Sequence, residues 1–170
     1  MSSAAIALVR ASIGNTAVQK VSRGADIIWS AFTAMGMNKN GTFAMESSTT
    51  ALIGGWAVRT PGSVIANQAL VCDGAAAVTI QWKITLTSMW PGAGAVTFRV
   101  LKNGNSIGTG SIPFNSSTGT FNPISTTVAP GDTLAIQYVT PFGYSATVAA
   151  GATSTYLYFE QAGGVTRSKT

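Results

Sequence analysis

The groups able to do acid–base chemistry are few. The sequence has five carboxylates (Asp26, Glu46, Asp73, Asp132 and Glu160), no histidine and one cysteine, Cys72. Without histidine a Ser–His–Asp triad cannot form. Glycoside hydrolysis needs two carboxylates facing each other across a cleft. Asp73 and Asp132 each stand beside a glycine, in Asp73-Gly74 and Gly131-Asp132. A short carboxylate in such a place bonds its own turn. Glu46 and Glu160 stand alone near the ends of predicted strands. A structural zinc site would need a cluster of cysteines or histidines. The glycines from Gly104 to Gly110 lack the lysine and the following helix of a phosphate loop. The expectation is a protein that is not an enzyme and carries no metal or cofactor.

Aromatic side chains supply the remaining binding chemistry. Trp90, Phe142 and Tyr144 lie in or beside predicted loops, as does Phe114. Ring faces stack on sugars, so Trp90, Phe142 and Tyr144 are candidate glycan contacts. The competing expectation is that they cap the ends of a β-sandwich. In Thr155-Tyr156-Leu157-Tyr158-Phe159, both sides of a strand carry large rings or aliphatics. If Thr155, Leu157 and Phe159 face a core, Tyr156 and Tyr158 face outward as a candidate subunit interface.

Charge narrows the partners. Charged residues make up 9% of the 170 residues, against about 25% in ordinary soluble domains. Surfaces this neutral suit packing into an assembly. The net charge of +5 comes from ten scattered bases and five acids. No basic stripe interleaves with aromatics, so nucleic acid is not an expected partner. No run reaches the roughly 18 apolar residues of a spanning helix, so membrane insertion is not expected. Residues 1–9 lack a basic start ahead of their apolar stretch, and no signal peptide is expected.

These side chains must be held by strands. Val78, Ile80, Trp82, Ile84 and Leu86 alternate with Thr79, Gln81, Lys83, Thr85 and Thr87. That is a strand with one dry and one wet face, predicted over Val78–Ser88. Val96, Phe98 and Val100 repeat the pattern, with Arg99 and Leu101 predicted outward, and Asn103-Gly104 then signals a two-residue hairpin. Further strands are predicted at regular spacing, among them Ala51–Arg59, Ile124–Val128, Thr133–Thr140 and Ser145–Ala149. Residues 30–43, with Gly36 and an Asn-rich turn, read as a connection. Upstream, Gly14 and Gly24 head two echoing decads, each an extended run, a glycine turn and a second run. Isolated hairpins are marginal in water, so this arm needs a partner. The chain therefore divides into an N-terminal β-hairpin arm with its connection (1–45), an all-β antiparallel jelly-roll-like sandwich (46–161) and a tail (162–170).

Two resemblances add to this. The spacing Ile13-Gly14-Asn15-Thr16-x-Val18-x-Lys20-Val21-x-x-Gly24-x-x-Ile27-Ile28-Trp29 resembles a short adaptor in minor tail and other virion proteins of bacteriophages, notably of actinobacterial hosts. There it typically reads Leu-Gly-Ser-Thr, a valine, a lysine, a second glycine and a closing Tyr or Trp. Ser22-Arg23 departs from the usual Tyr-Leu. The resemblance implies a docking arm built on Ile13, Gly14, Val18, Val21, Gly24, Ile28 and Trp29. The stretches Val96–Gly104, Val128–Leu134 and Tyr156–Phe159 look like jelly-roll modules of virion proteins. Those modules are similar to the trimeric tumour-necrosis-factor and complement-type heads. Together these imply a structural virion component, a minor tail or capsid decoration protein, assembled in the host cytoplasm as a homo-oligomer closed around a threefold axis. Its partners would be other tail or capsid proteins. The alternative is a carbohydrate-binding module that recognises a host-surface glycan.

Overall fold

A computed structural model describes residues 33–161, the last by its backbone alone. Upstream it describes only the backbone of four short strands between residues 12 and 30. Those four strands form two antiparallel hairpins. β1 (Ser12–Ile13) pairs with β2 (Thr16–Ala17), and β3 (Lys20–Arg23) pairs with β4 (Asp26–Ser30). Gly14, Val18 and Gly24 of the expected docking arm lie outside the described residues. So does the tail, 162–170. Ile13, Val21, Ile28 and Trp29 fall in the arm's strands, where only backbone pairing is described.

The described residues downstream form an all-β sandwich of jelly-roll type. One sheet runs β14 (Ile124–Val128), β11 (Ala76–Lys83), β17 (Tyr156–Gln161), β5 (Met35–Lys39), β8 (Trp56–Val58). The facing sheet runs β13 (Asn105–Ile112), β12 (Val96–Lys102), β15 (Thr133–Val139), β10 (Ala69–Val71), β9 (Val64–Ala66). β7 (Thr50–Leu52) pairs with the far end of β15. A short ladder of β6 (Phe43–Met45) and β16 (Ala146–Val148) stands at one end. The chain crosses between sheets after β11, after β13, after β14 and after β15, so the inner faces draw on residues from Met35 to Phe159.

The alternation read in the sequence supplies the core. Val78, Ile80, Trp82 from β11 and Leu157, Phe159 from β17 are buried against Val96, Phe98, Val100 of β12 and Leu134, Ile136, Tyr138 of β15. Each such side chain contributes roughly 1.5–3 kcal/mol when fully buried. The Asn103-Gly104 turn forms as expected, with φ of 50° and 81° and Lys102 opposite Asn105.

Three local expectations are corrected. Met35–Lys39 is no connection but a strand beside β17, with Phe159 opposite Met35 and Leu157 opposite Met37. Gly36 and the Asn-rich sequence disguised it, yet Met35, Met37 and Lys39 alternate inward and are buried. The sandwich therefore begins upstream of residue 46. The single strand expected over Ala51–Arg59 is two strands in opposite sheets. Gly54-Gly55, with Gly55 at φ 69°, lets the chain cross between them. β11 ends at Lys83 rather than Ser88, because beyond it the regular ladders to β14 and β17 stop and only isolated bridges continue, one of them to β16. Thr85 and Leu86 make only single bridges, to Thr118 and Val148. Leu101 points outward as expected, yet is buried, lining a shallow cavity of about 290 Å³ with Leu52, Val71 and Ala135.

Candidate functional site

The outer face of the β14–β11–β17–β5–β8 sheet carries the most organised cluster of outward side chains. Thr155, Leu157 and Phe159 are buried, so Tyr156 and Tyr158 project outward, as the period of the strand requires. Their ring centroids are 5.5 Å apart. Neither ring is freely exposed; both are half-buried. The reason is Arg59, which follows β8. Its guanidinium lies 5.0 Å from the Tyr156 centroid and 4.7 Å from that of Tyr158. It also donates to Asn38 Oδ1 at 2.8 Å and to the carbonyl of Ala152 at 2.7 Å. A cation over two ring faces is attracted by both quadrupoles. Gly36 makes this possible: a Cβ there would lie 2.7 Å from Tyr158 Cβ and 3.0 Å from Arg59 Cδ. The residue that obscured β5 in the sequence is the one that admits Arg59.

Lys83 borders this face and reaches the carbonyl of Thr153 at 3.4 Å. Gln81 stands opposite Tyr158 across the ladder, and Thr79 opposite Glu160. The face is thus aromatic at its centre and polar around it. That arrangement suits recognition of another protein surface.

The glycan contacts expected at Trp90, Phe142 and Tyr144 do not form one open cleft. Trp90 is 0% exposed. Its Nε1–H donates to the Gly94 carbonyl at 3.1 Å, and its ring lies 6.1 Å from that of half-buried Tyr144. A sugar cannot stack on a ring that the protein already covers. Trp90 closes the end of the sandwich, and Phe142 alone of the three is fully in solvent.

The carboxylates are dispersed. Asp132 accepts from Asn103 Nδ2 at 2.7 Å and from Ala129 N at 2.9 Å, and pairs with Lys102 at 3.0 Å. The Asn103 bond, with help from Ala129 and Lys102, holds its carboxyl below the usual range against partial desolvation. Thr140 Oγ1 donates to the carbonyl of Glu46, whose side chain is exposed. Among the described residues no three His, Cys, Asp or Glu come together as a metal set. Cys72 is buried, and that burial, with Asp132 and Asp73 nearby, raises its thiol to about 12.

One buried cation, Lys39, lies outside the residues expected to matter from sequence. Lys39 Nζ donates to the carbonyls of Asn40 at 3.0 Å and Gly55 at 2.9 Å, and lies 5.9 Å from the Phe43 ring centroid. Burial lowers its pKa. Its position two residues beyond Met37 was the available signal.

No family model and no curated protein sequence matches the chain. Solved structures do. Eiger TNF from S. frugiperda is similar with a TM-score of 0.58 at 9% identity, over 81% of this chain and 99% of that one. Two structures of murine APRIL, at pH 8.5 and pH 8.0, match with TM-scores of 0.54 and 0.50 at 10% identity, each over 74% of this chain and 95% of theirs. At such identities the likeness concerns fold alone. The chain has a tumour-necrosis-factor-like jelly-roll fold.

Proposed function

We propose that this protein is a non-enzymatic structural component of a bacteriophage virion, a minor tail or capsid decoration protein. It docks through its N-terminal hairpins and displays an oligomeric jelly-roll sandwich. The observation that carries the reading is the adaptor pattern over residues 12–29, Gly14 and Gly24 included, set ahead of a sandwich with a core of its own. Two two-stranded hairpins are too small to be stable alone, which supports a partner for the arm. The geometry downstream is compatible with display. β5, the first sandwich strand after the arm, starts beside the finish of β17, at Met35 and Phe159. The loops after β11, β13 and β15 gather at the opposite end, away from both.

Oligomerisation is the second part of the proposal. Tyr156, Tyr158 and Arg59 form its contact, and closure is threefold. The trimer rests on resemblance to tumour-necrosis-factor and complement-type heads, because nothing in the residue count selects three over two. Two experiments test the reading. Deleting residues 1–30 leaves a folded sandwich that no longer joins particles; normal incorporation of the truncated protein would refute the docking role. Sedimentation equilibrium gives a trimer that Tyr156→Ser with Tyr158→Ser dissociates. A monomer at micromolar concentration, unchanged by the substitutions, would refute the interface.

A further inference from the structure

Three connections meet at the end of the sandwich opposite the start of β5: residues 84–95, 113–123 and, with β16 within it, 140–155. Trp90 fastens them together. Its backbone N–H donates to the Ser116 carbonyl at 2.8 Å, and its own carbonyl accepts from Asn115 N at 2.9 Å. Its ring meets Tyr144. Ser47 Oγ accepts from Gly143 N at 2.8 Å and ties the 46–48 turn to the same end. Each loop then leaves one large apolar side chain in solvent. Met89 is 61% exposed, Phe114 61% and Phe142 87%. Five large hydrophobics are exposed among the described residues, and three of them are here. The backbone beneath them is held by hydrogen bonds and a buried indole, so they stand on a built platform.

The chemistry around them identifies the partner. None of the three loops contains Asp, Glu, Lys or Arg. Lys83 and Arg59 reach the 152–153 carbonyls, but from the sheet face. Among the described residues, Glu46 is the one acid beside this end. Exposed polar residues of these connections and of the adjoining turn are neutral donors and acceptors, among them Ser47, Ser48, Ser88, Asn115 and Ser145. An anionic membrane surface would call for lysine and arginine. Tight protein hot spots favour Trp, Tyr and Arg, which are absent from this exposed set. Ring faces interspersed with neutral hydroxyl and amide groups match a molecule with apolar C–H faces and many uncharged hydroxyls.

We infer that this end of the sandwich is a binding site for a neutral carbohydrate, with Phe114 and Phe142 as stacking platforms and Met89 as an apolar flank. The site differs from the cleft expected around Trp90, whose role is to hold it up. It stands whether or not the protein belongs to a virion, since it uses neither the arm nor the tyrosine face.

The test uses the full chain on an array of neutral and acidic glycans, including hexose and pentose homopolymers. Binding to neutral glycans, weakened at least tenfold by Phe114→Ser with Phe142→Ser at unchanged Tm and oligomeric state, is the expected result. Because both rings are exposed, the variant keeps its fold. In the wild type, ring-proton shifts of these two phenylalanines on adding the bound oligosaccharide give a second readout. Four results would overturn the inference: no neutral glycan retained, retention confined to acidic glycans, equal binding by the double variant, or co-sedimentation with neutral phosphatidylcholine vesicles that the double variant loses.

Discussion

Replacing Trp90 by alanine probes the cap on which the loop end depends. The indole is fully buried, donates a hydrogen bond to Gly94 at 3.1 Å and faces Tyr144. Gly92 lies so close that a Cβ there would come within 2.6 Å of a ring carbon. An indole burying about 250 Å² at about 25 cal/mol per Å² represents roughly 6 kcal/mol of transfer free energy, an upper bound. Residual apolar contact of alanine and partial collapse of the cavity bring the expected loss to about 3–5 kcal/mol. Domains of this kind unfold with about 5–15 kcal/mol, so Trp90→Ala leaves a marginal protein. The corresponding fall in Tm is about 6–20 °C, at about 2–4 °C per kcal/mol for a chain of this size. Urea denaturation followed by far-UV circular dichroism measures it, at one fixed protomer concentration because assembly shifts apparent stability. Trp90→Phe keeps a ring but loses the indole N–H and some volume, and loses less than the alanine variant. A loss below about 1 kcal/mol for Trp90→Ala would refute the packing argument and, with it, the platform beneath Met89, Phe114 and Phe142.

Other expectations follow from the buried and turn residues. Burial lowers the Lys39 pKa below its ordinary 10.5. Between the folded and unfolded values the unfolded chain binds more protons, so stability rises with pH across that window. Lys39→Met removes this rise, measured as the difference between wild type and variant in urea midpoints at stepped alkaline pH; identical pH profiles would count against burial of the ammonium. Cys72, buried and raised to about 12, stays unmodified by iodoacetamide in the native protein at pH 8 and alkylates at once in urea, as read by mass spectrometry; rapid native labelling would contradict its placement. Asn103 adopts φ 50° and bonds both Asp132 and Thr133 N, the latter at 2.8 Å. Asn103→Ala therefore costs about 2–3 kcal/mol and Asn103→Gly, which tolerates the turn, about 1–2 kcal/mol. Equal losses in thermal unfolding would mean that the backbone conformation contributes nothing.

Strand alternation made much of the fold legible. Val78 to Trp82, Val96 to Val100 and Leu157 to Phe159 announce their inner faces because a side-chain period of two is a local property. The Asn103-Gly104 hairpin was equally local, since left-handed backbone selects residue types directly. The outward direction of Tyr156 and Tyr158 followed from the same period. What covers them did not. Arg59 reaches them from β8, and Gly36 clears the space from β5, so that cluster depends on a strand order that no spacing records.

The sequence by itself determined the class of the fold, the inner faces of its long strands and the scarcity of acid–base groups. Each depends on composition or on near neighbours along the chain. Only the tertiary structure decided which rings are accessible. Trp90, Phe114, Phe142 and Tyr144 look alike as loop aromatics, yet Trp90 is sealed and Phe142 is open. Burial depends on which loops converge, and three loops far apart in sequence converge on Trp90. Lys39 makes the same point for charge: its burial is a consequence of the carbonyl of Gly55, brought to it by a chain crossing between two sheets.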